Sequence, residues 1–326
     1  MTVLPRFEHD TGSGSNAAPF FLPMKRYTTF NNELLRQFGQ RIQRVSLDAG
    51  FTCPNRDGSV GHGGCTFCGD RGAAAVGVPV ALSIAEQLAD GKRKMQQKYG
   101  AAKFLAYFQA YSNTYENPDR LRRLYEEALA DPTVVGLIIG TRPDCLPPAT
   151  LDLLTELHAR TYLWLELGMQ TMHDRTLSAI NRGHDHACLE SAVQSCRERG
   201  IQTCAHLVLG LPGESREEML ASVREVDRLG FSGAKFHHLH ILKGSQLEVD
   251  YRAGKVSLLE RDEYIGLVCD ALELLDPQVI IHRLMGDGRT ELVAPEWSRR
   301  KLDVLNRIDR EMTRRDSVQG SRRGEG

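Results

Sequence analysis

VSLDAGFTCPNRDGSVGHGGCTFC, residues 45–68, opens as a strand and closes on the last of three cysteines. Its first residues belong to RVSLDAG (44–50), an apolar and β-branched run of strand length, and Cys53 follows it closely. Cys65 and Cys68 form a CxxC pair, a spacing that lets two thiolates reach one metal centre. Gly58, Gly61, Gly63 and Gly64 let the intervening backbone fold tightly around a bulky inorganic body. Three strong ligands gather here and no fourth cysteine joins them. Iron–sulfur clusters normally take four thiolates, so three leave one iron open, and an open metal position implies chemistry. The same loop also reads as a closed structural zinc site held by Cys53, Cys65, Cys68 and His62.

Outward from this loop the chain alternates two patterns. KFLAYFQA (103–110), VVGLIIGT (134–141), YLWLELGMQ (162–170), QTCAHLVLG (202–210) and AKFHHLHIL (234–242) repeat the short buried-strand pattern of 44–50. Helical spacing follows in IAEQLADGKRKMQQKY, PDRLRRLYEEALA, PPATLDLLTELHA, LESAVQSCRERG, SREEMLASVREVDRLG and RDEYIGLVCDALELL, with Pro118 and Pro147 near helix starts and Gly200 and Gly230 near helix ends. Repeated strand–helix units pair in parallel through right-handed crossovers, which predicts an α/β barrel or an open doubly wound sheet. Either places its ligands at the carboxyl ends of the strands. The unusual residues sit there: FQAYSNTY (108–115), GTRPD (140–144), ELGMQT (166–171), LGLPGE (209–214) and HHLH (237–240).

Composition excludes several classes. The 326 residues are 41% apolar and 25% charged with a net charge of −1, which describes a folded chain with no global field for polyanions. No window reaches the apolar length of a membrane span and the start lacks a secretory leader, so a cytoplasmic protein is expected. Eight cysteines in this length are too sparse for a disulfide scaffold.

The three-cysteine loop with Phe67 before its last cysteine resembles that of the radical S-adenosylmethionine (SAM) enzymes, although eleven residues separate Cys53 from Cys65 where the common spacing is CxxxCxxC. KRYTTFNNELLRQFG, VSLDAGFTCPNRDG, GTRPDCLP, LELGMQT, INRGHD, HLVLGLPGE and HHLHILKGS resemble the YhcC-like group of that superfamily along nearly the whole folded chain. TRPD, LELGMQ and LGLPGE are more distantly similar to the radical SAM domain of the Elongator catalytic subunit. The resemblance implies a partial (β/α)6 barrel with a C-terminal helical extension. It implies a [4Fe–4S] cluster on Cys53, Cys65 and Cys68 with SAM as the missing ligand. It further implies reductive cleavage of SAM to a 5′-deoxyadenosyl radical that takes hydrogen from a substrate, and a low-potential electron donor such as flavodoxin or ferredoxin. The expected organisation is a flexible leader (1–23), the radical SAM core (24–245), an extension packed on the barrel (246–315) and a disordered tail (316–326).

By the same likeness Phe67 lies beside the adenine, and Gln170, Arg182 and His206 contact SAM. Gly210 and Gly213 give a backbone platform. Relatives carry a GGE-like segment after the second strand where this chain has QAYSNT, so Gln109 and Tyr111 stand in at that position. Arg182 has a physical warrant in the bidentate fork a guanidinium offers a carboxylate, against the plainer reading of a helix-end arginine at the surface. Glu166 in an apolar strand either accepts SAM hydroxyls or pairs with a buried cation such as Arg142.

Other features stay open. Strand alternation puts His238 and His240 on one face and His237 on the other, so the three read as ordinary hydrogen-bonded residues, substrate or proton contacts, or partners of His282 at a second metal. Cys145 and Cys204 are thiyl candidates or core thiols; Cys188, Cys196 and Cys269 read as core. Ser298 to Gly326 holds nine Lys/Arg against five Asp/Glu, which suits an RNA substrate, but Leu302, Leu305, Ile308 and Met312 equally describe an amphipathic helix packed on the barrel. Three functions are carried forward: a radical SAM enzyme acting on RNA or a metabolite, a radical methyl- or sulfur-transferring enzyme, and a zinc-stabilised nucleic-acid-binding module without catalysis.

Overall fold

The computed structural model describes residues 25–69, 80–287 and 291–324; the leader expected over 1–23 lies outside them. Six strands fall in the predicted runs: β1 (Ile42–Leu47), β2 (Lys103–Phe108), β3 (Val134–Thr141), β4 (Tyr162–Gln170), β5 (Gln202–Leu209) and β6 (Gly233–His238). The last run does not continue as one strand. It breaks after His238, and β7 (Ile241–Leu242) pairs antiparallel with β9 (Leu292–Ala294) in a separate small sheet. A seventh parallel strand, β8 (Ile280–Arg283), adds beside β6. Its four residues include a histidine and an arginine, too short and too polar for a periodicity to register.

All neighbours in the order β1-β2-β3-β4-β5-β6-β8 are parallel, and the sheet curls into a partial barrel. The crossovers are the predicted helices: α2 (Ile84–Tyr99), α3 (Pro118–Leu129), α4 (Pro148–Arg160), α6 (His186–Glu198), α7 (Arg216–Leu229) and α9 (Arg261–Leu274), with α1 (Phe30–Phe38), α5 (Asp174–Ala179), α8 (Gln246–Arg252) and α10 (Lys301–Arg314) completing the chain. Their ends follow from local chemistry. Ser83 with Glu86 and Ser215 with Glu218 form capping boxes at α2 and α7, and Pro118 occupies the first turn of α3.

Side chains alternate across each strand, and the two faces have different fates. One face, with Phe104, Leu137, Leu165, Leu207 and Phe236, is buried under the helices in the main core. The other faces the barrel interior. Its lower part is apolar and capped by α1, where Phe30 and Leu34 pack with Leu105, Trp164, Cys204 and Ile280. One step further along the same faces stand Tyr107, Glu166, His206 and Lys235, so the interior turns polar toward the carboxyl ends.

The C-terminal part packs on the barrel through α10 against α9. Val304, Ile308 and Met312 are buried there, while Leu302, expected on the same stripe, is 76% exposed. Two residues before Val304, it lies about 160° around the helix from that stripe. The expected disorder from 316 onward is corrected for residues 316–324. Ser317 and Gln319 are buried, and the Gln319 side chain donates to the Asp276 and Val279 carbonyls at 2.6 and 2.8 Å while accepting from the Thr28 N–H at 2.9 Å. Composition suggested a solvated tail; one amide side chain satisfying exposed backbone groups ties it down. Among the described residues no helix is long and apolar enough to cross a membrane.

Candidate functional site

A cavity of about 640 Å³ opens at the carboxyl ends of the strands, lined on one side by Cys53, Cys65, Phe67 and Cys68 and on the other by the polar interior of the barrel. Gln109, Tyr111, Glu166, Gln170, Arg182 and His206 all line it as well. Gly210 does not: its N–H faces Met219 Sδ at 3.0 Å, and a Cβ there would meet Leu259 at 3.1 Å. The turn after β5, with Gly210 at φ 87°, packs against α7 and Leu259.

The cysteine loop is held from outside by the turn after α5. Asn181 donates to the carbonyls of His62 and Gly64, and Asn55 donates back to the Asn181 carbonyl. The Thr66 N–H reaches the Ile180 carbonyl at 3.0 Å. Asn181 adopts φ 53°, a left-handed conformation that asparagine tolerates better than other side chains. Asn55 is fully buried, and no pattern read from the sequence singled out either asparagine.

Two guanidiniums stand against the thiols. Arg142 Nη1 lies 3.7 Å from Cys53 Sγ and Arg182 Nη1 lies 3.5 Å from Cys65 Sγ. Burial works against the Arg142 cation, but its fork on Asp144, at 2.6 and 2.8 Å, outweighs burial and keeps the group charged. The Cys65 thiol is held well below its ordinary pKa, first by the hydrogen bond from Cys68 and then, against burial, by Arg182 and Arg142. Arg182 is buried, so the reading of a surface arginine is set aside. Its Nη2 also donates to the Gly168 carbonyl at 2.8 Å, and a Cβ on Gly168 would come within 2.5 Å of that nitrogen.

The arrangement fits the implied cofactors better than zinc. A tetrahedral zinc with bonds of about 2.3 Å holds its thiolates about 3.8 Å apart. The sulfurs of Cys53, Cys65 and Cys68 do not all lie within 4.8 Å of one another, and His62 is exposed and does not line the cavity. Cys65 and Cys68 are close enough to hydrogen-bond, Cys53 stands farther off, and the two cations beside the three suit an anionic body. The cavity wall also presents buried polar atoms that lack a protein partner: Gln170 Oε1, Arg182 Nε and His206 Nε2. Such atoms are costly unless a bound molecule satisfies them. Tyr111 and Gln170 take φ of 58° and 66°, strain that clusters where a site fixes side chains against local preference.

Glu166 pairs with a buried cation, one of its two expected readings, but the cation is Lys235 and not Arg142. Arg142 belongs to Asp144, and Glu166 pairs with Lys235 at 2.6 Å, accepts from the Tyr107 hydroxyl at 2.5 Å and lies 3.3 Å from His282 Nδ1. Curling of the sheet brings β4 and β6 face to face across the interior, which strand patterns alone do not reveal. Burial pushes the Glu166 carboxyl up, and Lys235 and His282 overcome it and hold it well below the usual range. Burial lowers the Lys235 pKa against the same carboxylate. Arg44 and Arg283 approach this network and line the same cavity floor. The signal that was missed is the lysine in AKFHHLHIL, a charge inside an apolar run.

The histidines also depart from the alternation rule. Because β6 ends at His238, His237, His238 and His240 all line the cavity, while His282 sits apart on Glu166. Cys145 and Cys204 are buried and outside the lining; burial pushes the Cys145 thiol up to about 12 and Cys204 well above its ordinary value. Cys196 and Cys269 are core thiols, and Cys188 is half-buried on α6.

The family model of the radical SAM superfamily matches residues 55–226 and that of the Radical_SAM C-terminal domain matches residues 231–314. YtqA of Bacillus subtilis is 45% identical over 94% of this chain and 95% of its own, and YhcC of Escherichia coli is 41% identical over 92% and 96%. Among solved structures, an archaeal Elp3 from Methanocaldococcus infernus superposes with a TM-score of 0.65 at 17% identity, covering 85% of this chain and 64% of that one. That likeness concerns the fold.

Proposed function

The chain belongs to the radical SAM superfamily, and from that premise we propose that it is an iron–sulfur enzyme that cleaves SAM reductively and abstracts hydrogen from a substrate held in the barrel cavity. The observation that carries this reading is the convergence on one cavity of three free thiols, two buried guanidiniums beside them and unpartnered polar atoms on the opposite wall. Cys53, Cys65 and Cys68 would hold a [4Fe–4S] cluster and SAM would complete it. When bound, this pair supplies one-electron cleavage of SAM to methionine and a 5′-deoxyadenosyl radical.

The remaining work falls to the chain's own residues. Arg142 and Arg182 offset the negative charge of the thiolates in a poorly hydrated site. The free edge of Arg182, through Nε, and Gln170 Oε1 offer one donor and one acceptor suited to the carboxylate and amino group of an amino acid. Phe67, Gln109, Tyr111 and His206 line the space for the nucleoside. Glu166 holds Lys235 and Tyr107 on one oxygen and His282 on the other, which shapes the cavity floor and leaves one acceptor position for a SAM hydroxyl. The barrel wall excludes water and oxygen from the reacting centre. A low-potential donor of the flavodoxin or ferredoxin class is the partner this chemistry requires.

The substrate is a metabolite or a single nucleoside of a larger RNA, as the cavity volume has room for little more beside SAM. The basic C-terminal end gives RNA weak support, since its cations are engaged: Arg315 by Asp270, Glu273 and Glu311, Lys301 by Asp287, and Arg323 by Asp227 and Asp276. Methyl or sulfur transfer is less favoured because no fourth cysteine lines the cavity among the described residues. A zinc-stabilised binding module is less favoured by the position of His62.

Anaerobic purification tests the reading. The expected result is a brown protein with iron and acid-labile sulfide that, once reduced, converts SAM to 5′-deoxyadenosine. Joint replacement of Cys53, Cys65 and Cys68 by Ala should remove both colour and cleavage. A colourless protein with stoichiometric zinc on sulfur would overturn it.

A further inference from the structure

Beyond this reading, we propose that His237, His238 and His240 form a second metal site on the wall of the same cavity, for a divalent cation of the zinc class with an open coordination position. The site arises where β6 stops. The strand pairs with β5 as far as His238 opposite Leu209, the Leu239 N–H then bonds the Leu209 carbonyl at 2.9 Å, and the chain turns away to β7. That turn brings together side chains that an unbroken strand would hold on opposite faces. One ring nitrogen of each histidine lies within 4.8 Å of the others, and ring centroids are 4.6 Å apart for His237–His240 and 4.3 Å for His238–His240.

The hydrogen bonding around these rings differs from that of ordinary core histidines. His237 Nδ1 lies 2.7 Å from the His238 carbonyl, which can only accept, so Nδ1 carries the proton and Nε2 the lone pair. The same arrangement orients metal-ligating imidazoles. His238 Nε2 has two partners at once, His240 Nε2 at 2.8 Å and the Ser298 hydroxyl, which itself reaches His240 Nε2 at 3.3 Å. A neutral ring nitrogen has one proton or one lone pair, not enough for both. The opposite atom, His238 Nδ1, is buried with no protein partner. The ring is thus oversubscribed on one edge and unserved on the other. Lone pairs that converge on a cation would account for the crowded edge.

The chemistry and size agree. Metal–nitrogen bonds of about 2.0–2.1 Å separate tetrahedral ligands by about 3.4 Å, so the 2.8 Å contact between His238 and His240 opens by a fraction of an ångström on binding. Trp297, stacked on His238 at 4.4 Å between centroids, and Ser298 back the rings from the C-terminal extension. Imidazole ligands suit zinc and its borderline neighbours, and three protein ligands with a vacant fourth position are the pattern of reactive rather than structural sites. The vacant position faces the cavity that the cysteine loop also lines, where it would take an oxygen or nitrogen donor of the molecule bound there.

The test uses full-length, cluster-reconstituted protein, stripped of loosely held metal with a mild chelator, given zinc and desalted. Zinc, iron and sulfide are counted, and the zinc environment is read by K-edge X-ray absorption. One retained zinc per chain with nitrogen or oxygen neighbours only is expected. His238→Ala and His240→Ala should weaken zinc by more than the roughly 10–100-fold that loss of a supporting group causes, with iron and sulfide unchanged. Because these variants disturb a buried cluster, His240→Cys is measured beside them and should keep zinc with one sulfur neighbour at about 2.3 Å. Normal iron with no retained zinc, or a His240→Cys protein whose zinc shows no sulfur, overturns the second site alone. Zinc bound by several sulfurs in the unaltered protein, with iron absent, overturns the iron–sulfur reading instead.

Discussion

Arg182 holds Cys65 Sγ at 3.5 Å with one nitrogen of its guanidinium and the Gly168 carbonyl at 2.8 Å with the other. One side chain thereby ties the cysteine loop to the end of β4 and leaves Nε without a protein partner. A buried cation in this position steadies thiolates and presents a donor to whatever binds beside them.

Arg182→Ala is therefore expected to weaken SAM binding by about 10–150-fold, the range of about 1.5–3 kcal/mol for a lost charged hydrogen bond. Arg182→Lys should fall between, because an ammonium keeps the charge and loses the fork. Gly168→Ala should act in the same direction, since its Cβ would displace the guanidinium while leaving the strand in place. Equilibrium binding of SAM to reconstituted protein measures all three. Wild-type affinity in Arg182→Ala would remove the residue from the site.

Glu166 and Lys235 form a buried pair, each less than 5% exposed. Glu166→Gln leaves a buried ammonium without its counter-charge and should cost about 3–5 kcal/mol in denaturant unfolding. Adding Lys235→Met to that variant should restore most of the loss, as removal of both charges ends the penalty. A double variant no more stable than Glu166→Gln would show that the pair does not act as a unit.

His282 gives the stability a pH dependence of known sign. Burial first, then Arg44 and Lys235, lower its pKa against the opposing pull of Glu166. The folded protein keeps the ring neutral where the unfolded chain takes up a proton, so its contribution is complete above the unfolded value near 6.5 and is lost as pH falls below it. The slope from this group is at most about 1.4 kcal/mol per pH unit. Glu166, held well below the usual range, stays ionised across that window. Unfolding free energies between pH 7 and pH 5 should fall less steeply in His282→Gln than in the unaltered protein; equal slopes would contradict the assignment.

Gln319 joins the chain end to the Thr28 N–H and to the loop before β8. Gln319→Ala should destabilise the protein by about 2–3 kcal/mol, because buried backbone groups lose their partners. Thermal or denaturant unfolding reads this directly, and an unchanged midpoint would mean that the 316–324 turn contributes nothing.

The sequence by itself determined the alternation of strands and helices, the six main strands, the three-thiol loop after the first of them and the carboxyl edge as the site. Those features rest on local periodicity and spacing, which neighbouring residues set. Tertiary structure decided which charges and rings meet. Glu166 finds Lys235 because the sheet curls until β4 and β6 face each other; His237 joins His238 and His240 because β6 ends one residue too soon for alternation to hold. Strand β8 and the pinned 316–324 turn escaped for the same reason. Their stability comes from partners distant in the chain, and a partner's position depends on sheet curvature, register and where a strand stops, none of which has a period to read.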